Sequence, residues 1–110
     1  MEIVNEKSSY FPTINFVNED GDPVTPTSGK YWITDITDPD AHVAIKGETA
    51  FTPIATSYDF EVLPTENRIL DDTHAYEMRV LTVEFTYSGT RVGTAEYKWG
   101  VKNLAGESGA

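Results

Sequence analysis

The chain has 110 residues, of which 39% are hydrophobic and none is cysteine, so it supports one domain without a disulfide framework or a thiolate metal site. Its 18 acidic residues outnumber its 8 basic ones, and the basic residues are scattered, which argues against nucleic acid and anionic membrane surfaces as partners. No stretch has the apolar length that crosses a bilayer, and the N-terminus lacks the pattern of a secretory signal.

Residues 1–10 show little periodicity and are predicted to form an N-terminal arm. Chain termini are often poorly ordered unless another segment or protein binds them. This arm could either be loose or dock on a neighbouring protein. Its apolar side chains, Ile3, Val4 and Tyr10, are therefore candidate contacts with another protein.

The domain is expected to begin with a strand at Phe11–Phe16, in which Ile14 and Phe16 point inward. The next segment, Asn18–Pro23, predicts a turn, because Asp-Gly supplies the positive φ of a tight reversal and Pro ends ladder pairing. The closely spaced side-chain oxygens of this segment could also indicate a calcium-binding site. We favour the turn, because the full EF-hand pattern is missing and a reversal needs Asp and Gly for backbone reasons alone.

A strand at Lys30–Ile36 contains the most prominent candidate for a surface contact. With Tyr31 and Ile33 inward, the period of two turns Trp32 outward, and an outward tryptophan is a candidate interface anchor. The alternative is that Trp32 packs under a neighbouring loop or under the N-terminal arm.

Two shorter strands are predicted next, at His42–Lys46 and at Tyr58–Val62. The segment between them, residues 47–56, is expected to be a loop in which Phe51 and Ile54 reach the core. A helical turn is possible in the connection 65–75, although no long helical period occurs anywhere in the chain.

The two longest alternating runs lie in Glu77–Val101 and are joined by Ser88-Gly89-Thr90, which predicts a hairpin. The chain therefore has about seven short strands separated by turns, the pattern of an all-β fold: an antiparallel immunoglobulin-like β-sandwich without a disulfide, spanning residues 11–104. Residues 105–110 are expected to be a flexible C-terminal tail. The predicted core aromatics are Phe16, Tyr31, Phe60, Phe85, Tyr97 and Trp99.

No constellation of residues predicts a reaction. The two histidines, His42 and His74, have no second histidine at metal-ligand spacing, and no nucleophile elbow or phosphate loop is present. A sandwich of this size also offers no deep cleft by default. The sequence therefore predicts no enzyme and no cofactor, with no catalytic, cofactor-binding or metal-ligating residues.

The layout of residues 12–104 resembles the small immunoglobulin-like structural proteins of tailed bacteriophages. The segments that support the resemblance are Thr13–Phe16, Asp20–Val24, Tyr31–Ile36, Asn67–Ile69, Glu77–Val83 and Glu96–Leu104. The resemblance implies a non-enzymatic virion protein, such as a capsid decoration or a head–tail, neck or tail accessory protein. It would be made in the host cytoplasm and bind other virion proteins in multiple copies, without nucleic acid or membrane contact.

A carbohydrate- or cell-surface-binding immunoglobulin-like module is the alternative from a different class. Outward aromatic side chains and acidic loops at one end of a sandwich would suit a sugar. Binding to glycans rather than to virion proteins would distinguish this alternative.

Overall fold

A computed structural model of the chain describes residues 2–53, 55–71 and 73–104. Its strands are β1 Glu2–Asn5, β2 Thr13–Asn15, β3 Ser28–Asp35, β4 Val43–Phe51, β5 Ser57–Asp59, β6 Tyr76–Tyr87 and β7 Arg91–Lys102. One turn of 3₁₀ helix, Pro64–Asn67, lies in the connection where a helical turn was possible. No helix in the described ranges is long and apolar enough to cross a membrane. Ile54 and the tail 105–110 lie outside the described residues.

The strands form a five-stranded sheet in the order β1-β7-β6-β3-β4 and a two-stranded sheet of β2 and β5. The all-β prediction is therefore confirmed. The larger sheet is mixed and not antiparallel throughout, because β1 runs parallel to β7, with Glu2 opposite Trp99 and Asn5 opposite Lys102. Residues 2–5 of the predicted arm thus add an edge strand to the sheet.

The predicted hairpin is the longest pairing in the molecule. β6 and β7 pair antiparallel from Tyr76 opposite Lys102 to Tyr87 opposite Arg91. The reversal between them uses positive φ angles at Ser88, 51°, and Gly89, 81°, which suit a tight turn between twisted strands. β6 lies in the middle of the sheet, so its inward side chains form the centre of the core.

The core lies between the two sheets and is rich in aromatic rings. Phe16, Phe60, Phe85 and Trp99 are buried, and Tyr31 and Tyr97 are partly buried against them, as predicted. Phe51 also joins this core: its ring centroid lies 4.9 Å from those of Tyr58 and Phe60. Tilted and edge-on contacts of this kind add stability beyond the burial of apolar area.

The prediction for residues 47–51 was wrong, because these residues continue β4 instead of forming a loop. The register between β3 and β4 shifts on both sides of Ile33. The extra residues lie in β4, so β4 departs from a strict period of two. The next predicted strand is also shorter than expected: β5 ends at Asp59, and Val62 makes an isolated bridge with Tyr10.

The acidic segment after β2 forms the predicted turn. The Asn18 side-chain oxygen accepts hydrogen bonds from the backbone amides of Asp20 at 2.9 Å and Asp22 at 3.0 Å. Gly21 has a φ of 83°, a conformation that glycine adopts without steric cost. The Asn, Asp and Gly residues of this segment therefore stabilise the backbone conformation of the turn.

Candidate interaction surfaces

The five-stranded sheet has one face toward the core and one face away from β2 and β5, which we call the outer face. The pairs Trp32–Thr82 and Thr82–Glu96 fix the alignment of β3, β6 and β7 on this face. Its side chains include Lys30, Trp32, Thr34, Val80, Thr82, Glu84, Thr94, Glu96 and Lys98. Most of them are exposed or half-buried, so this face is the broadest surface of the sheet that faces solvent.

Trp32 lies on the outer face, as the period of two predicted. Its neighbours along β3 face the other way, because Ile33 is buried and the Tyr31 ring lies 4.9 Å from that of Phe60. Trp32 itself is half-buried, so part of its indole remains open to a partner.

A shallow depression of ≈ 460 Å³ lies on the outer face, where the loop after β3 folds against the sheet. It is lined by Thr34, Ile36, Pro39, His42, Val80, Thr82, Glu96 and Lys98. The exposed Glu96 and Lys98 form an ion pair at 3.7 Å, which is weak at a solvated surface. The lining mixes apolar side chains with hydroxyl, imidazole and charged groups.

β4 is an edge strand, paired with β3 on one side and with no described strand on the other. Ala44 and Ala50 are exposed on it, whereas Lys46 pairs with the largely buried Glu66 at 3.0 Å, a contact that raises the pKa of Lys46. Edge strands offer unpaired backbone groups to other chains, and register shifts like those of β4 limit indiscriminate pairing. β4 is therefore suited to a specific contact.

The three candidate residues of the N-terminal segment are all engaged within the chain. Ile3 packs over Gly100 and remains 49% exposed, whereas Val4 is partly buried against the core. Tyr10 is a core residue whose hydroxyl donates to that of Tyr97 at 3.2 Å. β7 and β6 lie between β1 and β3, so Ile3 and Val4 do not form one patch with Trp32, and Tyr10 lies in the core.

A buried ionic cluster at one end of the sheet was missed by the sequence analysis. Arg79 is 0% exposed, and its guanidinium contacts Asp35 at 2.7 Å and Glu77 at 2.6 Å. It also donates to the carbonyl oxygens of Glu66 at 3.0 Å and Arg68 at 2.8 Å. Arg79 thus ties β3, β6 and the connection before β6 together.

One sequence signal could have revealed this cluster. Glu77 and Arg79 share the parity of Leu81 and Val83 along β6, so the period of two already places both charged residues inward. Charged residues are almost never fully buried unless they are paired, so the same parity also implies partners for them. The sequence analysis treated Arg79 as one of the scattered basic residues, so it did not predict this cluster.

The cluster has the properties of a structural element. Among the described residues, no buried side-chain nitrogen or oxygen lacks a hydrogen-bond partner. In the same ranges, no group of three or more His, Cys, Asp or Glu side chains is placed to hold a metal ion. Buried polar groups that are all hydrogen-bonded in this way are typical of a structural network.

No family model matches this chain, and comparisons with curated proteins and with solved structures find no match either.

Proposed function

We propose that this chain is a non-enzymatic structural protein of a tailed-phage virion that attaches to other virion proteins in multiple copies. We also propose that its two packed sheets are a variant of the immunoglobulin-like sandwich. The resemblance of residues 12–104 to small virion proteins motivates both proposals. The single structural observation that supports attachment best is the edge strand β4 beside the open outer face.

Attachment through β4 would use physical features that are present in the free protein. An incoming strand gains main-chain hydrogen bonds along the edge, and exposed side chains decide which strand fits. Ala44 and Ala50 are small and exposed, so they let another backbone approach closely. Trp32 on the adjacent strand would supply an aromatic anchor next to this edge.

The first test is mass spectrometry of purified particles from the phage that encodes the chain. The proposal expects the protein in the particles at a constant ratio to the capsid or tail subunits. Its absence from washed, intact particles would overturn the proposal. Binding to a glycan array, with no binding to virion proteins, would favour the carbohydrate-binding alternative.

A pair of charge variants then tests the edge itself. Ala44→Lys with Ala50→Lys puts two long cations on β4 and should reduce incorporation into particles at least tenfold, equivalent to about 1.4 kcal/mol of binding. Val92→Lys is the matched control, because Val92 is 59% exposed on β7 and far from β4 in the strand order. Equal incorporation of both variants, with melting temperatures unchanged, would exclude β4 as the attachment edge.

A further inference from the structure

One buried carboxylate holds the connection before β6 against the end of the sheet. Glu77 is 1% exposed, and its two oxygens accept hydrogen bonds from the backbone amides of Leu70 at 2.8 Å and Asp71 at 3.0 Å. These amides belong to residues 68–71, which we call the docked segment. Since a backbone donor that loses its partner away from water is costly, Glu77 fixes the position of this segment.

His74 is the point at which solvent reaches this carboxylate. Its Nδ1 donates to Glu77 Oε2 at 2.9 Å, while its side chain remains 40% exposed. The Asn103 side chain donates to the His74 carbonyl oxygen at 2.9 Å, which holds the backbone of His74 near the end of β7. The imidazole can therefore exchange protons with water while it donates a hydrogen bond to the buried carboxylate of Glu77.

The ionic contacts that Arg79 and His74 make with Asp35 and Glu77 balance in charge when His74 is protonated. Asp35 and Glu77 contribute two carboxylates, and Arg79 contributes one guanidinium, all within the protein interior. This leaves one negative charge uncompensated where the dielectric constant is low, and such a charge is costly. An imidazolium at His74 supplies the missing positive charge, whereas a neutral imidazole does not.

We propose that His74 is a pH-sensitive latch, whose protonated form holds the docked segment on Glu77 and whose deprotonation loosens it. The charged and titratable groups that surround this contact come from the connection and from two strands. They are Asp35 on β3, Asp71 in the connection, and Glu77 and Arg79 on β6.

The direction of the pH dependence follows from these contacts. The hydrogen bond to Glu77 raises the pKa of His74 above its ordinary 6.5, and the carboxylates of Asp71 and Asp35 act in the same direction, against the effect of burial. In the latch that we propose, His74 leaves Glu77 together with the segment, because its amide donates to the Asp71 carbonyl oxygen at 3.0 Å, and it then loses the contact that raises its pKa. The extra stability is therefore fully present below pH 6.5 and is lost as the pH rises through the raised pKa of the docked form.

Amide hydrogen exchange followed by NMR tests the latch residue by residue in the full chain. Protection of the Leu70 and Asp71 amides is measured at several pH values between about 5.5 and 8.5, around the ordinary pKa of histidine, and corrected for the chemical exchange rate. His74→Gln keeps a hydrogen-bond donor without a titrating charge. His42→Gln is the matched control, because His42 lies at the outer-face depression and is the only other histidine.

We expect protection in the wild type and in the His42→Gln variant to fall with rising pH, and the His74→Gln variant to show no such fall. The fall should not exceed the ratio of the His74 acid dissociation constants in the undocked and docked states, the second of which NMR titration of His74 measures. A pH-independent wild type, or a His74→Gln variant that keeps the wild-type pH dependence, would overturn the proposal.

Discussion

At the scale of single residues, the most consequential side chain is a buried cation. Arg79 uses its guanidinium to bind two carboxylates and two carbonyl oxygens that belong to separate parts of the chain. A buried ion pair is weak evidence for net stability, because desolvation offsets much of the Coulomb attraction. Removing one partner is a different matter, because the opposite charges then stay buried without compensation.

Replacing Arg79 by methionine should therefore destabilise the fold strongly. Met has a similar length but removes the guanidinium that contacts the buried carboxylates of Asp35 and Glu77, which costs about 3–5 kcal/mol. Urea denaturation followed by fluorescence measures the change in the free energy of unfolding.

Arg91→Met is the matched control for this substitution. Arg91 also binds a carboxylate, that of Glu19, but its side chain is 59% exposed, so its loss should cost about 0–1 kcal/mol. Equal losses of stability in the two variants would show that Arg79 acts as an ordinary surface charge.

At the scale of elements, strands with an undisturbed period of two were predictable and the others were not. β6 and β7 alternate clearly at residues 81–87 and 95–99, so their existence, turn and the inward faces of these segments followed from the sequence. The predicted strand ended at Lys46, whereas β4 continues to Phe51, because bulges in β4 break the period of two near Gly47. β1 escaped prediction because four residues without clear alternation gain their regular structure from the exposed edge of β7.

Packing between β6 and β7 gives a prediction at this scale. Gly93 faces the core directly beside Phe85, and a Cβ atom added there would overlap the Phe85 ring. Gly93→Ala should therefore destabilise the protein by about 1–3 kcal/mol, the usual cost of overpacking a core. The melting temperature and the free energy of unfolding both report the change.

Gly47→Ala serves as the control, because nothing lies within 4 Å of a Cβ atom at that position. This substitution should leave the stability nearly unchanged or raise it slightly, since alanine restricts the unfolded chain. If Gly93→Ala were equally well tolerated, the close packing of Phe85 against β7 would be contradicted.

At the scale of the whole molecule, charge is the dominant property. The net charge of -10 is distributed over a small elongated domain, with principal extents of 52 × 26 × 23 Å. Such an excess keeps copies apart in solution and destabilises the compact state by self-repulsion. For the attachment to virion proteins that we propose, it would favour a partner with a basic surface.

Salt should therefore stabilise this protein. Raising the ionic strength from about 0.01 M to 0.15 M shortens the Debye length from about 30 Å to about 8 Å and screens repulsion across the molecule. We expect the melting temperature, measured by calorimetry at neutral pH, to rise over this range. A fall would mean that the attraction within surface ion pairs outweighs the repulsion between the excess acidic groups.

The sequence by itself determined the all-β class, the central hairpin, the acidic turn and the aromatic core. These features depend on local rules: the period of two along a strand and the φ angles that Asp, Asn and Gly allow. The tertiary structure alone decided that residues 2–5 pair with β7, that β4 forms an open edge, and that Asp35 meets Arg79 across 44 positions of sequence. Those outcomes depend on which distant segments become neighbours, and no local pattern encodes that choice.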